Sequence, residues 1–308
     1  MFSVKRSTIF LYLLPIMSTI TVINLWPILY TFYLSATNYT QFNSDTYHFI
    51  GLENYRQLFS LGASDLPSVL GQTVLYVVIC VLLFLVLGML TALALNNRRI
   101  KWLPFWRIAL MVPWAVPSGI TALIWKFLFN YDFGPLNQIG RLFFGAHFGV
   151  PWTISPWQAF CSVVIVNVWL TYPFFMIVIL GALQSIPPEL AEAAQIDGAH
   201  PGQYFRYVML PLLQPTLTPT TILSAITTFQ MFNTVYLITQ GGPITSAVKP
   251  GFTEFVMVYM YNRILGADIA NPHFGSIAAF AITLFIILAA LTFLATGLSS
   301  HSKQEALA

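Results

Sequence analysis

Six long apolar stretches alternate with short polar segments along the chain. A helix needs roughly 20 predominantly apolar residues to cross the hydrocarbon core of a bilayer. Each stretch is near or above that length, so the pattern predicts an all-α integral membrane protein with one transmembrane domain over residues 1–308. We place the spans at about 9–36, 69–95, 104–128, 157–183, 212–237 and 275–298.

The composition supports this class. Charged residues make up only 7% of the 308 and hydrophobic residues 57%, and the mean hydropathy is +0.75. A soluble domain could not cover its surface with so few polar side chains. The net charge of +3 is small and scattered along the chain, which argues against nucleic acid as a partner and favours the lipid bilayer.

The basic residues divide unevenly between the two sides of the predicted membrane domain. With both termini inside, eight cationic residues lie in cytoplasmic segments, four lie outside, and Lys126 lies near the outer end of the third span. Cytoplasmic loops carry an excess of Lys and Arg, so we expect cytoplasmic amino and carboxyl termini. The inner group is Lys5, Arg6, Arg98, Arg99, Lys101, Arg107, Arg206 and Lys303, and the outer group is Arg56, Arg141, Lys249 and Arg263.

The connector between the fourth and fifth spans, 185–211, is unusually polar for this chain and predicts two short helices around a sharp turn. Ser185 is a candidate cap for the first helix, and Pro188 suits its first turn. Gly198 offers the backbone freedom for a left-handed stop, and Pro201 can open the second helix. Spacing of i, i+3, i+4 and i+7 gives the first helix one narrow face, shaped to enter a cleft. That face consists of Leu190, Ala193, Ala194 and Asp197.

The same connector resembles a family motif. Glu192-Ala193-Ala194 is followed after three residues by Gly198, and after nine more by Val208-Met209-Leu210-Pro211. This is similar to the E-A-A-x3-G-x9-I-x-L-P loop in membrane subunits of binding-protein-dependent ABC importers, with Val208 in place of Ile. The resemblance implies a type I ABC importer permease fold, whose loop docks as a cytoplasmic coupling helix on the ATP-hydrolysing subunit. It assigns coupling to Glu189, Glu192, Ala193, Ala194, Asp197 and Gly198; the alternative is an ordinary amphipathic connector.

The resemblance also implies the partners and the location. They are two ATP-binding subunits, a second, homologous permease subunit, an extracytoplasmic solute-binding protein, and a prokaryotic cell membrane. The chain has no G-x-x-x-x-G-K-[ST] phosphate loop, so we expect ATP hydrolysis in a partner and no enzymatic activity here. Its five histidines are scattered and form no metal or hydrolytic motif, so we expect no metal and no cofactor.

A polar stripe runs along the fourth span. It combines an amide, a hydroxyl and an aromatic ring on one helical face, a mixture that suits sugars because their hydroxyls need neutral hydrogen-bond partners and their C–H faces stack on aromatic rings. The stripe is Asn167, Leu170, Thr171 and Phe174, and the fifth span adds Ser224, Thr227, Thr228, Gln230 and Met231. The alternative for Asn167 is an interhelical hydrogen bond.

The third span carries Pro113 and Pro117, which predict a kink. Freed carbonyl groups are tolerated in a membrane only where protein or a watery cavity satisfies them, so the kink either lines a cavity or serves packing.

Three further motifs resemble those of sugar-type permeases, and the exit from the fifth span resembles the larger membrane subunit of maltose transporters in a compact six-span form. In that subunit, positions matching the four stripe residues and matching Ser224, Thr228 and Met231 of the fifth span contact substrate, but amides correspond to Thr228 and Met231. The resemblance therefore implies a disaccharide or oligosaccharide rather than maltose itself. Glycerol phosphate or another polar solute is the alternative, as is an ion-coupled secondary transporter, although no predicted span has Asp or Glu near its middle. The three motifs are 51–55, 133–137 and 239–243.

Overall fold

The computed structural model describes residues 6–43, 45–61, 66–97, 99–244, 250–262 and 273–305. Within these ranges every regular element is helical, and the one strand-like feature is a bridge between Thr37 and Phe49. Four of the described helices are long and apolar enough to cross a membrane, or up to six segments if each of two bent helix pairs is one span. The prediction of an all-helical membrane protein is therefore confirmed.

The chain divides into two compact units, and the smaller comprises the described parts of Met1–Leu66 and Met260–Phe293. Its first span consists of α1, Arg6–Ile20, a π-helical turn, Thr21–Leu25, and α2, Trp26–Ser35. The turn widens just before Pro27, which has no N–H to donate to the preceding turn. The short helix α3, Glu53–Leu61, follows the first span, and the apolar stretch Phe274–Phe293 completes this unit.

The side chain of Asn54, in the first of the three short motifs, joins separate segments of this unit by hydrogen bonds. Its side chain is buried, and Nδ2 donates to the carbonyl oxygens of Ser35 at 2.9 Å and Thr37 at 2.8 Å. Its Oδ1 accepts a hydrogen bond from Ser276 Oγ at 3.3 Å. A generic surface turn would not bury an amide with three partners, so this motif has a structural role.

The larger unit comprises the described parts of Pro67–Tyr259 and Leu294–Ala308. Its central element is the fourth predicted span, whose most apolar window is 61% buried. The aromatic core around this helix includes Tyr76 and Phe255, whose rings stack with centroids 4.3 Å apart. In chain order the helices are α4, Leu66–Asn96; α5, Leu103–Ala115; α6, Ser118–Leu128; α7, Pro135–Phe144; α8, Pro156–Gln184; α9, Pro188–Ile196; α10, Pro201–Tyr204; α11, Leu210–Phe229; α12, Asn233–Thr239; and α13, Val256–Met260.

The third and fifth predicted spans are each divided in two. Helices α5 and α6 meet at 91°, and the helical run ending at Phe229 meets α12 at 41°. The first break lies at Val116 and Pro117, because proline drives the preceding residue into an extended conformation, here φ −82° and ψ 134°. Pro113 lies inside α5 without ending it. The sixth predicted span corresponds to α14, Phe274–Glu305.

The side chain of Asn137, in the second short motif, also forms hydrogen bonds with several neighbouring groups. Its Nδ2 donates to the carbonyl oxygens of Tyr131 and Val150, and its Oδ1 accepts from the Val150 amide at 3.0 Å and from Trp152 Nε1 at 3.2 Å. Because the side chain is fully buried, these bonds fix the loop between α7 and α8.

Candidate functional site: an uncharged cavity at a helix break and an exposed helical connector

The connector 185–211 begins with a short helix and a sharp turn, as the sequence predicts. The second helix is not separate, because Pro201–Tyr204 continues through a π-helical turn, Phe205–Met209, into α11. The first cap also differs from the prediction. Pro187 occupies the position before α9, and its side chain forms no capping hydrogen bond. Ser185 is not the cap, because its hydroxyl donates backwards to the Ala182 carbonyl at 2.7 Å. The proline pair itself begins the helix, since the N–H groups that it lacks would have no intrahelical partner there.

Gly198 ends α9 in the left-handed conformation that the sequence predicts. Its φ is +76°, and the amide of Ala199 donates to the Ala194 carbonyl at 2.9 Å while the Gly198 amide donates to Gln195 at 3.1 Å. This pair of bonds is the Schellman arrangement, which satisfies the last carbonyls of a helix. The turn therefore depends on a residue without a Cβ.

His200 caps the following helix, a role that the sequence reasoning missed. Its Nδ1 accepts hydrogen bonds from the amides of Gly202 at 3.2 Å and Gln203 at 3.4 Å, while Gln203 Oε1 accepts from the His200 amide. The reciprocal pairing is a capping box. The glutamine three residues after the histidine was the available signal, but histidine is not among the usual capping residues.

The exposed face of α9 differs in part from the predicted one. Leu190, Ala193 and Asp197 are exposed as expected, but Ala194 is half-buried. Ile196 was not predicted to be exposed, yet 86% of its surface is accessible.

A cavity of about 370 Å3 lies where α5 breaks into α6. That volume is within the ~300–1,000 Å3 range of small-molecule sites. Four of the seven predicted substrate residues line it, together with the five residues of the helix break. The four are Asn167, Leu170, Thr171 and Met231, and the break contributes Trp114, Ala115, Val116, Pro117 and Ser118.

The other three predicted residues do not line this cavity. Ser224 and Thr228 are buried on α11, with 4% and 3% of their surface exposed. Phe174 lies one layer away, behind Trp114. The helical stripe on the fourth span predicted four of the seven from spacing, and the family resemblance implied the other three. Neither specifies which neighbour fills the space beside each side chain.

Asn167 is the most unusual residue of the cavity wall. It is fully buried, and its Oδ1 accepts a hydrogen bond from Thr171 Oγ1 at 3.4 Å. Its Nδ2 is buried and makes no hydrogen bond of good geometry, but the amide interacts with Tyr76 and Cys80 of α4. The position of Asn167 therefore fits both alternatives, a wall of the cavity and a contact between α8 and α4.

The helix break supplies further polar groups. The last carbonyls of α5 and the first amides of α6 have no intrahelical partner, and the Ser118 side chain is beside them. No charged residue lines the cavity. Its chemistry is therefore that of a site for a neutral, hydrogen-bonding solute, and Pro117 contributes to it while Pro113 does not.

This construction, a bundle of apolar helices with an uncharged cavity at a helix break and an exposed helical connector, is typical of a membrane transport subunit. Residues 84–303 match the family described as binding-protein-dependent transport system inner membrane component, and the chain belongs to this family.

The chain matches two relatives over different shares of their length. The chain is 29% identical over 311 residues to the maltodextrin transport system permease protein MdxF of Bacillus subtilis, covering 96% of this chain and 70% of that protein. It is 35% identical over 245 residues to the maltose/maltodextrin transport system permease protein MalF of Escherichia coli K12, covering 78% of this chain but 47% of that protein.

Solved structures share the fold. A permease chain of a bacterial alginate ABC transporter, in complex with an alginate pentasaccharide-bound periplasmic protein, superposes with a TM-score of 0.75 at 19% identity, covering 95% of this chain and 93% of that one. A second structure of a bacterial alginate importer gives a TM-score of 0.72 at 18% identity, covering 96% and 95%. The predicted type I ABC importer permease fold is thereby confirmed.

Proposed function

We propose that this chain is the membrane-spanning subunit of an ATP-driven, binding-protein-dependent importer that translocates a disaccharide or oligosaccharide across a prokaryotic cell membrane. The observation that carries the proposal is the uncharged cavity at the helix break, which Asn167, Thr171 and Ser118 line. The names of the MdxF and MalF relatives, which refer to maltodextrin and maltose, support the same solute class.

The residues that line the cavity favour a saccharide over glycerol phosphate and over an ion-coupled mechanism. Glycerol phosphate carries a charge, and a desolvated phosphate needs a cationic or other strong donor partner, whereas no lysine or arginine lines the cavity. Ion-coupled transporters commonly carry an ionisable group in the membrane interior, and no Asp or Glu lines this cavity. Hydroxyl groups of a saccharide match the amide, hydroxyl and backbone groups present.

The proposed assembly contains two ATP-binding subunits, a second, homologous permease and an extracytoplasmic solute-binding protein, with both termini of this chain in the cytoplasm. Six residues of the connector couple α9 to an ATP-binding subunit: Glu189, Glu192, Ala193, Ala194, Asp197 and Gly198. The exposed Leu190 and Ile196 add the apolar contact expected at the centre of such an interface. Closure of the ATP-binding subunits moves α9 and rocks the helices around the cavity.

Replacing Asn167 with leucine tests the solute site. Saccharide uptake by the complete assembly in proteoliposomes is expected to fall at least about tenfold, because a buried hydrogen bond to the solute is lost. The melting temperature of the assembly is expected to stay about the same, because leucine has a similar volume and the amide makes no short hydrogen bond among the described residues. A structural amide would give the opposite result, a lower melting temperature with uptake per folded complex unchanged.

A pair of threonine variants supplies the matched control. Thr171→Val alters a hydroxyl that lines the cavity, while Thr283→Val alters one that bonds only to the Ala279 carbonyl of its own helix. Uptake is expected to fall in the first and not in the second. Competition by unlabelled maltodextrin but not by glycerol phosphate supports the saccharide class, and the reverse pattern contradicts it.

A further inference from the structure

A second cavity, of about 780 Å3, lies behind the connector and is separate from the proposed solute site. It is enclosed by the end of α4, the start of α5, the end of α8 and the inner side of α9. Its polar lining residues are Asn96, Arg107, Gln184 and Tyr204. None of its lining residues is acidic.

Arg107 carries an unneutralised charge at this cavity. Its Nε is buried without a hydrogen-bond partner, and Nη2 makes one long bond, 3.5 Å, to the Leu95 carbonyl. A guanidinium group stays protonated and presents five N–H donors, so most of its donors remain available. A partly buried cation without a counter-charge is costly, which indicates that an anion completes this site.

The surroundings of Arg107 place the cavity at the level of lipid headgroups. Trp102 and Trp106, which shortly precede Arg107 in the sequence, have 78% and 47% of their surface exposed. Tryptophan concentrates at the membrane–water interface. Lys101 is exposed at the same end. Basic pockets between spanning helices at such an interface bind phosphate-containing headgroups.

The cavity also carries apolar side chains, those of Leu103, Leu183 and Met209. Polar donors at one part of the wall and apolar groups at another suit an amphiphile. Pro188 and Ala191 line the cavity from α9, whereas Ala193 and Asp197 lie on the opposite face of the helix and are exposed. An occupant would therefore support α9 from the side opposite the surface proposed to meet the ATP-binding subunit.

We propose that this cavity binds a phosphate-type oxyanion on Arg107 and that the bound group holds α9 in position. The planar guanidinium pairs with a phosphate through two parallel hydrogen bonds. The phosphate belongs either to the headgroup of an anionic phospholipid or to a soluble phosphate compound. The positioning of α9 rests on the proposed coupling function, but the binding itself does not.

The first measurement counts lipids that remain bound to the purified complete assembly, by native mass spectrometry. Arg107→Gln is expected to reduce bound phosphatidylglycerol by about tenfold, because a charge-assisted bidentate interaction is removed. Lys101→Gln removes an exposed charge at the same end and is expected to retain the lipid. Arg107→Lys is expected to retain part of it, since lysine binds phosphate as a point charge.

The second measurement separates the two sources of phosphate. The assembly is placed in bilayers of phosphatidylcholine alone, and its melting temperature is followed while inorganic phosphate is added at constant ionic strength. A rise in the parent protein that is absent in Arg107→Gln identifies a soluble phosphate, while bound phosphatidylglycerol with no such rise identifies the lipid. Either result supports the site.

A cavity-filling variant covers the case in which Arg107→Gln does not assemble. Ala191→Phe reduces the cavity from α9 without altering the charge, and it is expected to lose the same phosphatidylglycerol or phosphate response. Equal lipid retention and equal phosphate response in the parent and in every variant would overturn the proposal, as would a crosslink showing an acidic side chain of a partner subunit on Arg107. If saccharide uptake is absent but Arg107-dependent lipid remains bound, the proposed function fails while this site stands.

Discussion

The indole ring of Trp114 stacks on the phenyl ring of Phe174, with centroids 6.3 Å apart and planes inclined by 23°. Trp114 lies at the end of α5 and lines the proposed solute cavity, while Phe174 is the last residue of the predicted stripe on α8. The pair joins the helix break to the stripe, because Phe174 supports Trp114 from behind and Trp114 lines the cavity. Sugar C–H faces pack on aromatic rings.

Shortening Trp114 should weaken solute binding more than folding. In Trp114→Ala the KM for saccharide uptake is expected to rise about tenfold, because the stacking surface and its burial are lost. Trp114→Phe keeps an aromatic face and should recover most of the affinity. Trp102→Ala, at an exposed tryptophan outside the cavity, is the control; an equal rise in KM there would contradict a specific role for Trp114.

Substitutions at Gly198 test the role of the backbone conformation in the connector. A Cβ at this position would meet no heavy atom within 4 Å, so a substitution acts only through the cost of positive φ, about 1–2 kcal/mol for a residue with a Cβ. Gly198→Val is expected to uncouple ATP hydrolysis from uptake while leaving membrane insertion intact. Gly198→Asn, which tolerates this conformation, should retain coupling. Normal uptake in the valine variant would show that the turn is not needed.

The His200 cap can be measured without transport. His200→Ala removes the acceptor for two amides and is expected to destabilise this turn by about 0.5–2 kcal/mol. Hydrogen exchange of the Gly202 and Gln203 amides should accelerate accordingly. His200→Asn supplies a standard capping side chain and should restore protection, and peptides from α8 serve as the internal reference. Unchanged exchange in the alanine variant would mean that the capping box contributes nothing to the connector.

Gly88 sets the separation between α4 and α8. A Cβ added there would lie 2.5 Å from Phe175 Cβ and 3.1 Å from the Met176 amide nitrogen, and neither atom can rotate away. Gly88→Ala is therefore expected to lower the free energy of unfolding by about 1–3 kcal/mol through overpacking, measured as a reduced melting temperature of the purified complex. Gly181→Ala, on α8 with open space around its Cα, should be neutral. Equal effects would indicate a general cost of helix substitution instead of a close approach.

The structure also explains two motifs whose function the sequence left open. The asparagines Asn54 and Asn137 each hold several backbone groups of their own unit. Their recurrence in short loop motifs therefore reflects loop architecture, and neither asparagine lines the solute cavity.

The sequence by itself determined the features that depend on neighbouring residues along the chain. Apolar length fixed the helices that can span a bilayer, the lack of a Cβ at Gly198 fixed the left-handed turn, and Pro117 fixed a helix break. Only the tertiary structure decided what lies beside each helix. Packing between segments distant in sequence determines three features. They are the 91° bend that brings Trp114 to Asn167, the displacement of Ser224 and Thr228 from the cavity wall, and the unneutralised Arg107 behind α9. In a chain this apolar, many helix faces bear similar side chains, so local pattern alone does not specify which of them meet.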